Sequence, residues 1–177
     1  MAKLDLKSAY RHIPVHSDDM RLLGMKWNDA IWLDRALPFG LASAPKIFSA
    51  IADLLLWIMH FKGVRWAIHY LDDYLIFGHA DTDDCSSSLQ AVLACCAELG
   101  WEANKVGGPA PCIVFLGIEI DSTRSQLRLP EDKLSMLKGE LAHWQDVYEK
   151  KSTIPNWPSR PRIESYQARS LISLASD

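Results

Sequence analysis

The stretch HYLDDYLIFG, residues 69 to 78, sets two adjacent carboxylates, Asp72 and Asp73, between two runs of aromatic and aliphatic residues. The flanks have the composition of strands and Asp is a good turn former, so the segment reads as a β-hairpin with Leu71, Asp72 and Asp73 in its connection. Taken alone it is a surface turn. It is also the donor set a hard cation asks for, because Mg²⁺ needs only one or two protein carboxylates beside its waters and phosphates. What the rest of the chain places next to it decides between the two readings.

Upstream, Lys3 to Leu6 (KLDL) reads as a short strand that runs into a turn or helical segment, KSAYRHIP. RLLGMKWNDAIWLDRALPFG alternates around WNDA and predicts a hairpin. A long apolar helix follows, with Ser43 as N-cap, Pro45 in its first turn and Gly63 just beyond its end. RWAIHY and YLIFG are the strands of the opening hairpin. A second helix is expected from about Asp83, capped by Asp81 or Thr82, to Leu99, stopping at Gly100, with Leu89, Val92, Leu93 and Cys96 as its buried stripe.

NKVGGPAPC reads as loop, and CIVFLGIEIDSTRSQLRLP as one more hairpin turning near Ser122 to Ser125. Beyond Pro130 the spacing is helical, with Leu134, Leu137, Leu141 and Trp144 on one face, then a Pro-rich linker, TIPNWPSRPR, and the opening of a further helix, ESYQARSLISLAS. This order predicts an α+β fold: a split βαβ, ferredoxin-like antiparallel sheet with two helices on one face. Such a sheet brings the end of the first strand to the Asp-Asp hairpin, which singles out Asp5.

Composition narrows the class. With 177 residues, 49% of them hydrophobic, the chain makes one domain or one and a half with a packed core, not a disordered segment. The four cysteines, Cys85, Cys95, Cys96 and Cys112, form no CxxC pair and no zinc spacing, which argues against metal or disulfide scaffolding and for an intracellular setting, cytoplasmic or nuclear rather than secreted. No secretory signal is present, and the apolar run IADLLLWIMHF contains Asp53, so it reads as a core helix and no membrane partner is expected.

Residues 1 to 123 carry 10 Lys and Arg against 15 Asp and Glu, and residues 124 to 177 carry 9 against 7. A self-sufficient nucleic-acid binder shows a basic face that neutralises phosphates; here that grip has to come partly from elsewhere.

Transfer of a nucleotidyl group needs an activated 3′-hydroxyl, a stabilised pentavalent phosphorus and a neutralised pyrophosphate. Two divalent ions about 3.5–4 Å apart supply all three. Holding them takes at least two carboxylates on neighbouring rigid strands, and Asp5 with Asp72 fits that need. Successive strand side chains point to opposite faces, so Asp72 and Asp73 are expected to converge by sitting in the turn itself.

The segments LDLKSAYRHIPV, LPFGLASAPKIFS, YLDD, LGWEANK and FLGIEI, in this order and spacing, resemble the successive palm motifs of reverse transcriptases over about residues 3 to 130. YLDD alone is a weak match; the five together are specific. The wording, including LRLPEDKL, is most similar to retrotransposon polymerases of the long-terminal-repeat or DIRS type. The resemblance implies a palm over residues 1–129 and the start of a helical thumb over 130–177. It implies Asp5 and Asp72 as metal ligands for two Mg²⁺ (or Mn²⁺), with Asp73 a third, more peripheral carboxylate and Leu6 offering its carbonyl.

By the same resemblance Tyr10 is the steric gate against a 2′-hydroxyl. Phe39, Gly40 and Leu71 lie along the nucleotide or primer end, Lys105 sits near the pyrophosphate, and Phe115, Leu116 and Gly117 form the primer grip. The implied partners are deoxynucleotides and a primer on an RNA or DNA template. Fingers and RNase H regions are expected in adjacent sequence. The alternative is a truncated or domesticated palm that does no chemistry and at most binds a partner; a third reading, another palm enzyme such as an RNA-dependent RNA polymerase or a nucleotide cyclase, is opposed by the bulk of Tyr10. His60, His69 and His79 read as structural or exposed, and Trp27, Trp32, Trp57 and Trp66 mainly as core and sheet packing.

Overall fold

The computed structural model describes residues 1–152. Two compact units meet at Pro130/Glu131. The first begins with strand β1, Ala2–Leu6, whose alternation buries Ala2, Leu4 and Leu6 on one face and sets Lys3 and Asp5 on the other. A 3-10 turn, Ala9–His12, follows, and then the hairpin β2, Gly24–Trp27, and β3, Ala30–Leu33. Asn28 and Asp29 both take left-handed φ, the backbone a two-residue type I′ turn requires, so WNDA turns where its composition says it should.

Helix α1, Ala44–Phe61, has Ser43 at its N-cap and Pro45 in its first turn, although Ser43 makes no side-chain capping bond. Its end is a Schellman motif: Gly63 N–H donates to His60 O and Val64 N–H to Met59 O, with Gly63 at φ 95° and Val64 buried. The helix is long and apolar enough to cross a membrane by length and composition. Its Ala44, Phe48, Ala52, Leu55 and Met59 stripe nevertheless lies against the sheet as a core helix does.

Strands β4, Ala67–Tyr70, and β5, Asp73–Ile76, form the opening hairpin, and helix α2, Asp84–Glu98, ends at Gly100 in a second Schellman motif, Trp101 N–H donating to Cys96 O at 2.8 Å. The N-cap is Asp83, and Thr82 Oγ1 accepts from Asp84 N–H. Cys85 and Cys95 join Leu89, Val92 and Cys96 in the buried stripe, while Leu93 is only partly covered.

NKVGGPAPC is not all loop. Strand β6, Ala103–Gly107, pairs with β1, completing an antiparallel sheet of order β4-β5-β1-β6. Asn, Lys and Gly hide it from composition; docking onto β1 overrides their weak strand preference. With α1 and α2 over one face, the order is that of the split βαβ fold.

The segment after Cys112 also holds more than a hairpin. Strands β7, Cys112–Phe115, β8, Ile118–Asp121, and β9, Gln126–Arg128, form a meander with turns at both Leu116–Gly117 and Ser122–Ser125. Leu116 and Gly117 both have positive φ, again the tight two-residue geometry. The second unit opens with α3, Glu131–Ser152. Among the described residues little covers the face expected to be buried there: Leu134 is partly covered, Leu137 and Leu141 are exposed and Trp144 is 62% exposed. The last linker and helix expected from sequence lie outside the described residues.

Trp27, Trp32, Trp57 and Trp66 are exposed, correcting their reading as packing residues. Among the described residues nothing layers over the β2–β3 hairpin, and Trp57 stacks on Phe61 along the outer side of α1.

Candidate active site

The register of the sheet builds the site. Asp5 on β1 faces Asp73 on β5 as a direct cross-strand pair, so both carboxylates stand on the face away from the helices, two rungs from the Lys3–Leu75 pair on the same face. Leu71 and Asp72 alone form the β4–β5 turn, with Leu71 at φ 55°, a left-handed backbone that favours glycine. Asp73 is thus the first residue of a strand, not a turn residue as the sequence reading had it. Convergence needs only Asp72 to be in the turn, because Asp73 already shares the face of Asp5.

Leu6 N–H donates to Asp72 O at 3.0 Å, tying the strand end to the turn. The Leu6 side chain is buried, so its backbone is what it can offer to the site.

Three carboxylates this close oppose their own ionisation. Burial, then the charges of Asp5 and Asp73, push the Asp72 carboxyl above the usual carboxylate range, against the pull of a backbone hydrogen bond. Burial, then Asp5, raise Asp73 as well, with Lys105 and Lys3 pulling the other way. Asp5, 13% exposed, has Lys105 Nζ 3.3 Å from its Oδ2. Among the described residues no three His, Cys, Asp or Glu side chains form an enclosed metal cluster. The set is instead an open one: hard oxygen donors on one face, with mutual repulsion that a divalent cation relieves, which fits an ion that keeps waters and takes other ligands from a substrate.

Around this centre, Tyr10 is buried with its ring stacked 4.9 Å from Phe48 and tilted 4.9 Å from Phe39. Burial first, then the charge of Asp72, raise its hydroxyl pKa. Phe39 is 74% exposed and Gly40, at φ 88°, has open space where a Cβ would be. The chain reaches this position because Leu37 N–H donates to Ile13 O at 2.8 Å and Pro14 bridges Ala36. Lys105 thus lies against Asp5 and Leu71 shares the turn of Asp72, while Phe39 is placed by its ring contact with Tyr10.

Phe115 does not face solvent; it packs on Leu75 and Ile113, and in its hairpin Leu116 and Ile118 are exposed instead. Lys3 Nζ donates to Val114 O at 2.6 Å, clamping that hairpin onto the sheet face two rungs from the carboxylates. Sequence reasoning passed over Lys3, although the alternation in KLDL already puts it on the face of Asp5. It also passed over the pairing of His69 Nε2 with Asp53 Oδ1 at 2.9 Å, which joins β4 to α1 and has no signal in the sequence.

A split βαβ sheet with carboxylates clustered on the face away from its two helices has the architecture of a polymerase palm. Residues 1–120 match the model of the family described as "Reverse transcriptase (RNA-dependent DNA polymerase)", and the chain belongs to that family. It is 28% identical over 132 residues to Polyprotein P3 of Commelina yellow mottle virus, covering 72% of this chain and 7% of the polyprotein. To the Enzymatic polyprotein of Cestrum yellow leaf curling virus it is 27% identical over 146 residues, covering 76% of this chain and 21% of that one.

Among solved structures it resembles the foamy viral protease-reverse transcriptase in complex with RNA/DNA hybrid, at TM-score 0.70, 21% identity and 99% coverage of this chain against 23% of that one. The same viral protein with dsDNA gives TM-score 0.69 at 20% identity, covering 99% and 36%. The chain thus spans about a third or less of each of these four relatives.

Proposed function

We propose that this chain is the catalytic palm of an RNA-directed DNA polymerase from a retroelement, adding deoxynucleotides to a primer 3′-hydroxyl on an RNA or DNA template. The observation that carries this reading is the Asp5–Asp73 cross-strand pair with Asp72 hung beside it in a two-residue turn. Asp5, Asp72 and Asp73, with the Leu6 carbonyl, are the groups that would hold two Mg²⁺ or Mn²⁺ ions, and the chemistry such ions would supply is activation of the attacking hydroxyl and neutralisation of the developing phosphate charge.

The chain's own residues do the rest by position. Tyr10, fixed by its stack on Phe48, closes the space a 2′-hydroxyl would take. Phe39 and Gly40 offer an exposed ring and an approachable backbone to the nucleotide, and Leu71 meets the primer end. Leu116 and Gly117 steer the primer from a hairpin that Phe115 and Lys3 anchor. Fingers and RNase H segments are assigned to flanking sequence, and the free cysteines Cys85, Cys95, Cys96 and Cys112 suit an intracellular setting, cytoplasmic or nuclear.

We assign the source to an element of the long-terminal-repeat or DIRS type on the residues LRLPEDKL; the two curated relatives are viral, so flanking coding sequence separates a retrotransposon from a virus. Primer extension by the polypeptide that carries this chain is expected to require Mg²⁺ and to be abolished by Asp72→Asn. Undiminished extension by Asp72→Asn removes the site assignment, and absence of extension in the unsubstituted polypeptide favours a palm without chemistry.

A further inference from the structure

The carboxylate face carries its own cation. In the pairing of β1 with β6, Asp5 lies opposite Asn104 and Lys3 opposite Gly107, so Lys105 and Val106 oppose the single residue Leu4: a β-bulge. Lys105 within it takes φ 46°, the left-handed region that a lysine enters only at an energetic cost. The result of that cost is specific. The side chain is 75% exposed and free to point into solvent, yet its ammonium lies 3.3 Å from Oδ2 of the nearly buried Asp5. Its charge also pulls down the pKa of Asp73, and Lys3, the other cation of this face, is committed to Val114 O. A bulge is a device for re-aiming one side chain, and here it aims a positive charge at Asp5, within electrostatic reach of Asp73.

We propose that Lys105 is the exchangeable internal counter-ion of this cluster. Without divalent cation it neutralises Asp5 and so eases the repulsion among the carboxylates, and a divalent cation entering beside Asp5 displaces it. The inference rests on the carboxylates being the cation site proposed above. In this role Lys105 is a positioning residue: it sets how easily the site loads, without touching reacting atoms.

The test is calorimetric titration of Mn²⁺ into the chain, paired with thermal melting at low ionic strength in EDTA and in saturating Mn²⁺. Lys105→Met removes the competing charge and is expected to bind Mn²⁺ about three- to tenfold more tightly, while Lys105→Arg keeps the unsubstituted affinity. Both variants share the left-handed backbone, so its strain cancels between them. In EDTA, Lys105→Met is expected to melt about 1–3 °C below Lys105→Arg, and in Mn²⁺ the gap is expected to close.

Unchanged Mn²⁺ affinity in Lys105→Met, or a melting gap that Mn²⁺ leaves intact, overturns the exchange while the cation site stands. If the unsubstituted chain binds no Mn²⁺, or Asp5→Asn binds it equally well, the site reading falls and the exchange falls with it.

Discussion

Removing one negative charge from the carboxylate face should make the metal-free fold more stable, which is the opposite of what most substitutions at a candidate catalytic position do. Asp72→Asn is the cleanest case, because Asn keeps the shape and an acceptor oxygen for the backbone bond that Asp72 makes within its own turn. Like charges about 5 Å apart, the cross-strand spacing, repel by roughly 0.8 kcal/mol in water and about 3 kcal/mol at an effective dielectric of 20. Asp72 is partly covered rather than fully buried, and Lys105 balances Asp5, so the lower part of that range applies, about 1 kcal/mol.

For a chain of 177 residues this corresponds to a rise of about 2–4 °C in Tm. The pH dependence fixes the cause. Since the Asp72 carboxyl is raised in the folded state, the folded chain binds that proton more tightly than the unfolded one, and the penalty is present at neutral pH and relieved as pH falls through the raised value. Melting both proteins in EDTA across the range from neutral to acid should therefore show Asp72→Asn more stable near pH 7 and the two converging by about pH 4. A variant that melts lower than the unsubstituted chain at pH 7, or a gap that does not change with pH, refutes the argument from repulsion.

Glycine positions separate two kinds of cost. A Cβ on Gly78 would lie 2.3 Å from the backbone nitrogen of Cys85, so Gly78→Ala has to push α2 off the sheet and is expected to cost about 1–3 kcal/mol, read as a loss of Tm. Gly40→Ala meets no atom within 4 Å and bears only the strain of φ 88°, about 1 kcal/mol, so circular-dichroism melts should rank Gly78→Ala as the worse of the two. Tyr10→Val opens the space over Phe48 and is expected to raise ribonucleotide incorporation on the order of 10–100-fold in primer-extension assays, with unchanged discrimination counting against the gate.

How legible these features were in the sequence follows from the range of the forces behind them. The Schellman ends at Gly63 and Gly100 and the turn at Asn28–Asp29 are set by the φ each residue can adopt, so composition revealed them. β6 was hidden because its pairing with β1 is a tertiary contact between residues about a hundred positions apart, and Asn104, Lys105 and Gly107 have no strand preference of their own.

The site shows the same division. Asp5 and Asp72 were readable from motif order, and the structure does bring them together. That Asp73 belongs to a strand and that Lys105 reaches Asp5 depends on a register and a bulge that no local pattern encodes. The exposed tryptophans were misread because apolar character says that a residue gains from burial, not that a covering layer is at hand.

The claim that Asp5, Asp72 and Asp73 form one cation site is tested most directly by paramagnetic relaxation. Mn²⁺ titrated into the isotope-labelled chain should broaden the amides of Leu6, Leu71, Asp72 and Asp73 first, and Asp5→Asn should abolish that broadening while leaving the spectrum folded. Broadening centred anywhere else, or equal broadening in Asp5→Asn, contradicts the account.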